Sequence, residues 1–145
     1  MRRPSWDVVW FLLCDAIAQR SRDTTKIGCV IIGENQDVKS IGYNGMPRGI
    51  NDSKSKVPER FKKPQKYFWF EHAERNAIYN ACNNGVSLKN TTIYVHGLPC
   101  PDCARAIIQT GIVVVKYKYI IKGWENKAEI TFTMFREAGI KIIKI

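Results

Sequence analysis

Two short stretches hold the side chains best able to do chemistry: Phe70-Glu71-His72-Ala73-Glu74-Arg75-Asn76-Ala77 and Leu98-Pro99-Cys100-Pro101-Asp102-Cys103. His72, Cys100 and Cys103 offer one imidazole and two thiolates, a donor set that suits zinc and leaves the fourth tetrahedral position to water. Glu74 follows His72 by two residues. A carboxylate kept off the metal can accept a proton from an activated water and pass it on. Taken singly, each half says little. A Cys-x-x-Cys is also a redox pair or half of a structural zinc site, and a lone helical histidine is commonly a packed residue. Together and in this order they point to a catalytic zinc.

For these groups to meet, each stretch must open a helix. After His72, the apolar residues Ala77, Ile78, Ala81 and Cys82 fall on one stripe, and Gly85 can close the helix. Pro101 suits the first turn of a second helix, whose stripe of Ala104, Ile107 and Ile108 ends at Gly111. Packed side by side, two such helices turn their positive ends toward the thiolates and favour the anionic forms.

The remaining chain supplies a frame for that pair. Ser5 is a plausible N-cap, with Asp7 in the first turn of a helix to about Gln19 that buries Trp6, Val9, Trp10, Leu13 and Ile17. Strands at 27–33 and 38–43 flank the turn-like Glu34-Asn35-Gln36-Asp37 and form a hairpin. Further strands are expected at 91–96, at 112–117 with room to reach 121, and at 140–145; a helix over 125–138 ends at Gly139. This order implies a three-layer α/β domain whose later strands are joined by crossover helices. Between Asn44 and Tyr67 no period is visible, and loops of such length in compact domains usually carry function. The aromatic run Tyr67-Phe68-Trp69-Phe70 that ends it is expected in the core.

Composition narrows the setting. A chain of 145 residues is about one domain long, and no apolar run reaches the roughly 18 residues of a membrane span. The apolar start, Trp6 to Leu13, is interrupted by Asp7 and lacks a cleavage site, so no signal peptide is expected and the cytosol is the expected location. Five cysteines are too few and too scattered for a disulfide framework; Cys14, Cys29 and Cys82 sit among apolar neighbours and are expected to be buried. The formal charge of +10 suggests an anionic partner without choosing between a nucleotide, a nucleic acid and an acidic protein, and solvated surface charge explains it equally well. Lys54, Lys56, Arg60, Lys62, Lys63 and Lys66 in the long loop contribute much of it.

H-x-E followed by P-C-x-x-C is the signature of the zinc nucleobase deaminases. Two further segments match beyond it: Gly42-Tyr43-Asn44-Gly45-Met46-Pro47, and Ala106-Ile107-Ile108-Gln109-Thr110-Gly111-Ile112 after the second cysteine. With them the chain resembles the cytidine and deoxycytidylate deaminase superfamily over nearly its whole length, and within it the deoxycytidylate deaminases. That resemblance implies a three-layer α/β/α fold with a five-stranded mixed sheet, formed by residues 1–145 as a single domain. It implies a hydrolase that turns dCMP into dUMP and ammonia for dTMP supply. It implies one zinc per chain on His72, Cys100 and Cys103, with Glu74 moving protons to and from the water and the base. It also implies a homo-oligomer, often a hexamer. Asn44, which alone would read as part of a tight turn, becomes a substrate contact. Arg22, Lys26 and Arg48 become candidates for the phosphate, and Tyr117 or Tyr119 for stacking on the pyrimidine, although strand packing also accounts for either tyrosine. His96, near Pro99, is either at the pocket mouth or structural. The long loop lacks the extra cysteines and histidine that hold a second zinc in some phage members.

Three rival functions fit parts of this sequence. A deaminase acting on another cytosine nucleotide (dCTP or 5-substituted dCMP), or on a base in tRNA or single-stranded DNA, shares the chemistry, but a polynucleotide substrate needs a groove for flanking nucleotides; nucleic acid is not the expected partner. A zinc-stabilised binding module would ordinarily have a fourth protein ligand, and none is evident near Cys103. A thiol oxidoreductase using Cys100 and Cys103 would stay active without zinc.

Overall fold

The computed structural model describes every residue from Met1 to Ile145. Helix α1, Trp6–Ala18, starts as its cap chemistry requires: the Ser5 hydroxyl accepts the Val8 N–H at 3.4 Å, and Asp7 lies in the positively polarised first turn. The hairpin strands β1, Gly28–Ile32, and β2, Val38–Tyr43, follow, joined by a turn in which Gln36 takes the left-handed conformation. The 44–72 excursion contains a 3₁₀ turn, Pro58–Phe61, and a single-turn helix α2, Lys66–Trp69. Helix α3, Ala73–Asn83, strand β3, Thr92–Gly97, helix α4, Pro101–Gln109, strand β4, Val114–Tyr119, helix α5, Glu125–Glu137, and strand β5, Lys141–Lys144, complete the chain.

The strands make one mixed sheet in the order β2-β1-β3-β4-β5. β1 is antiparallel to both its neighbours, whereas β3, β4 and β5 run parallel. Strand alternation divides β1 between two cores. Val30 and Ile32 meet α1 through Trp10, Phe11 and Cys14. Cys29 and Ile31 face the other way, into a larger core with Ala73, Ala77, Ile78 and Ala81 of α3, Ala104 and Ile107 of α4, and Ala128 and Phe135 of α5. One helix thus covers one face and three cover the other, the three-layer α/β/α arrangement read from the sequence. No helix is long and apolar enough to cross a membrane.

Helix ends fall where the glycines stand. Gly85 adopts φ +66, its N–H reaches Cys82 O at 3.1 Å, and the Val86 N–H reaches back to Ala81 O at 2.9 Å, closing α3 with both bonds of a Schellman motif. Gly42 serves contact instead of turning. A Cβ on it would stand 2.4 Å from Ala77 N and 2.5 Å from Ala73 O, so α3 rests directly on the β2 backbone. The Asn76 and Asn80 amides fasten the same seam by donating to Tyr43 O and Ile41 O at 2.8 and 2.7 Å.

Three sequence readings need correction. On α1, Trp10 is buried and Val9 and Leu13 pack against the core as expected, joined by Phe11, Cys14 and Ala18, but Trp6 is exposed and stacks on Trp10. Apolar residues surround this helix on nearly every side, so periodicity alone could not select the face. Cys82 is exposed, because the α3 stripe that meets the sheet runs through Ala77, Ile78 and Ala81 one position away. The aromatic run is not core: Tyr67 and Phe68 are 58% and 81% exposed, and Trp69 and Phe70 are half-buried under the side chains of the long loop.

Candidate active site

The two chemical stretches converge because each ligand stands at the threshold of a helix. His72 is the N-cap of α3 and Cys100 the N-cap of α4; both have extended backbones, and Pro101 occupies the first turn of α4. Cys103 lies one turn further along and is fully buried. Helices α3 and α4 are neighbours, so both positive ends face one point. The approaches are also tied down. Two backbone hydrogen bonds between Gly45 and Glu71, at 3.1 and 2.8 Å, hold the chain just before His72. The buried Thr131 hydroxyl of α5 donates to Pro99 O at 2.8 Å, just before Cys100.

At that point His72 Nδ1 lies 3.5 Å from Cys100 Sγ and 3.4 Å from Cys103 Sγ, and the three ligand atoms lie within 4.8 Å of one another. A tetrahedral zinc with bonds of about 2.0 Å to nitrogen and 2.3 Å to sulfur separates those atoms by about 3.5 Å. The side chains therefore fit the ion in donor type and in spacing. The Cys100 thiol is held down to about 4, first by hydrogen bonding with Cys103 and then by His72, so a thiolate is ready at neutral pH. The bond to Cys100, and burial after it, push the Cys103 thiol the other way. Glu74 stands outside the three-residue cluster, in the first turn of α3 and 5% exposed. Burial raises its carboxyl above the usual range against the opposing pull of His72.

The model of the cytidine and deoxycytidylate deaminase zinc-binding region matches residues 4–119, which span the hairpin, the cluster and β4. The chain belongs to this deaminase family. It is 33% identical over 144 residues to the deoxycytidylate deaminase of Homo sapiens, covering 96% of this chain and 79% of that one. With an uncharacterised deaminase of Aliivibrio fischeri it shares 34% identity over 142 residues, covering 94% and 91% of the two chains. A probable deoxycytidylate deaminase of Drosophila melanogaster is 38% identical over 120 residues, and there the chain spans 58% of the relative's length. The fold superposes on the crystal structure of dCMP deaminase from the cyanophage S-TIM5 in complex with dCMP and dUMP, with a TM-score of 0.80 over the whole of both chains at 20% identity.

Other residues singled out in this deaminase are spread more widely. The Asn44 amide is engaged with its own neighbourhood: Oδ1 accepts the Ile27 N–H at 2.8 Å, and Nδ2 donates to Thr25 O at 2.8 Å and to Asp23 at 3.4 Å. It pins the 23–27 loop beside the Gly45–Glu71 bridge. Arg22 pairs with Asp52 of the long loop at 3.2 Å, and Arg48 donates to Asn80 on α3. Lys26 is exposed and makes no ion pair. Tyr117 lies in the main core, 6% exposed and against Phe132, away from solvent. Tyr119 is 42% exposed at the end of β4. His96 is structural: its Nδ1 accepts the Gly28 N–H at 3.2 Å and its Nε2 meets Asp15 of α1 at 2.7 Å.

Sequence reasoning missed three contributors. Trp124, at the start of α5, stacks on the His72 ring. Arg75 pairs with Glu71 one helical turn back and comes within 4.0 Å of Asp102, joining the first turns of α3 and α4. Its spacing from Glu71 was a readable signal. Lys66 grips both oxygens of the largely buried Asp23 at 3.0 Å and binds the long loop to the Asn44 region. No local motif announces a contact across that many residues.

Proposed function

We propose that this chain catalyses the zinc-dependent hydrolytic deamination of dCMP to dUMP and ammonia. The observation that carries the reading is a buried carboxylate, Glu74, beside a His-Cys-Cys cluster of zinc spacing in a chain whose curated relatives include deoxycytidylate deaminases. His72, Cys100 and Cys103 would hold the ion, which supplies Lewis acidity that makes water nucleophilic at neutral pH. Glu74 accepts one proton from the attacking water as its oxygen bonds to C4 of cytosine, and delivers that proton to N3. The same carboxylate then carries the remaining hydroxyl proton to the amino group, the C4–N bond breaks, and ammonia leaves with the carbonyl formed. Burial favours this role: the raised carboxyl can hold a proton between the two transfers.

Around that chemistry, Asn44 shapes the substrate side of the site by fixing the 23–27 loop. The 5′-phosphate is met by cations of the surrounding loops, where Lys26 is the free one and Arg22 and Arg48 exchange their present partners for it. The protein works as a homo-oligomer in the cytosol; five free cysteines suit a reducing compartment, and the exposed Tyr67 and Phe68 suit a subunit contact. The test is ammonia release from cytosine, deoxycytidine, CMP, dCMP and dCTP, with and without a zinc chelator. Turnover of dCMP that stops on chelation supports the reading. Turnover of none of them, or turnover that survives zinc removal, overturns it.

A further inference from the structure

His72 is fixed from one side only. Its Nδ1 faces Cys100 and Cys103 at 3.5 and 3.4 Å, whereas its Nε2 makes no hydrogen bond within the chain. A metal-binding histidine ordinarily donates its second ring N–H to a carboxylate or carbonyl, which sets the plane of the ring. Here the flat neighbour is Trp124: the two ring centroids lie 6.1 Å apart with planes 21° from parallel, an offset stack. Trp124 is itself held in place. Its backbone N–H donates to Ile121 O at 3.0 Å and closes that turn, Gly123 before it takes φ +87, and Lys127 Nζ sits 4.5 Å over its ring. The same turn and Ala128 of α5 form a narrow crevice with Leu98, Pro99 and Cys100. The indole is thus anchored to the segment that delivers the first sulfur.

We propose that Trp124 is a positioning residue for the metal centre, its indole doing for His72 what a hydrogen-bonded carboxylate does in other metal sites. By fixing the imidazole plane it keeps Nδ1 aimed at the two sulfurs before any ion arrives, so less ordering accompanies binding. This inference rests on the metal reading of the cluster and is independent of which nucleotide is deaminated.

Metal-free full-length protein is titrated with Co²⁺ against a chelator of known affinity, following thiolate-to-cobalt absorption and tryptophan emission. Trp124→Ala weakens cobalt binding about 10- to 100-fold, the range for loss of a residue that supports a ligand. Trp124→Phe, which keeps a flat ring, retains most of the affinity. Cobalt quenches part of the wild-type emission, and that part is missing in Trp124→Phe. Urea midpoints of the metal-free variants establish that the fold is intact. Should Trp124→Ala unfold, Trp124→Leu, with bulk but no plane, takes its place: weaker binding than Trp124→Phe supports the proposal, and equal binding overturns it. Unchanged cobalt affinity in a folded Trp124→Ala protein overturns it too. Wild-type protein that takes up no cobalt defeats the metal reading itself, and this inference with it.

Discussion

Glu74 and Lys26, both given roles in the proposed reaction, sit in opposite surroundings. Glu74 is buried, so its charge is costly to hold and its carboxyl rises. Glu74→Gln keeps the shape and removes the carboxylate proposed to carry the proton. Turnover of dCMP should fall by at least about 10²- to 10⁴-fold, the span for loss of a general acid-base group, while zinc content measured by atomic absorption stays at one per chain. Lys26 is exposed and unpaired, free to meet an anion without first losing a partner. Lys26→Ala should raise KM for dCMP by about 10-fold, as expected for one lost bond to a charged group, and leave deoxycytidine kinetics unchanged. Equal effects on both substrates would show that Lys26 does not meet the phosphate. The convergence of His72, Cys100 and Cys103 was legible because each half of the cluster is placed by the start of a helix. Trp124 was not, since nothing in Gly123-Trp124-Glu125 records that a ring some fifty residues upstream will lie against it.

Among the elements, α1 is the sole helix on its face of the sheet, and a small polar network docks it there. The Asp7 carboxylate accepts from Tyr94 Oη of β3 and from Lys116 Nζ of β4, both at 2.7 Å. Burial pushes this carboxyl upward, but the bonds from Lys116 and Tyr94 outweigh burial and hold it below its ordinary 3.8. A carboxyl depressed in the folded state contributes stability that is complete above the unfolded pKa and is lost as pH falls through the folded one. Asp7→Asn should therefore cost about 1–2 kcal/mol in urea unfolding at pH 7, and the gap from wild type should shrink as the pH falls below about 4. Most elements were readable beforehand. Ser5, Pro101, Gly85, Gly111 and Gly139 marked helix boundaries, and alternation marked the strands, because caps and pleats act over a few residues. The face of α1 was readable only in part. Trp6, Val8 and Leu12 are as apolar as the residues that went inside, and only the sheet decides which of them it covers.

For the molecule as a whole, the formal charge of +10 and the exposed aromatics describe its outward relations. A basic surface speeds the approach of anionic nucleotides, most strongly at low salt, where screening is weakest. Phe68, 81% exposed beside Tyr67, is the residue on which the proposed subunit contact is tested, since large exposed aromatics suit an interface. Phe68→Asp should shift the protein toward monomer in sedimentation velocity while circular dichroism stays unchanged; an unaltered sedimentation coefficient would remove this segment from the subunit contact. The paired backbone bonds between Gly45 and Glu71 reach beyond assembly. They pinch the 46–70 excursion shut at its neck, so apart from Arg48, Asp52 and Lys66, which bond to Asn80, Arg22 and Asp23, its outer residues can change without pulling on the ligands beyond. A lineage could rewrite that segment for new regulators or partners while the reaction centre stays in register.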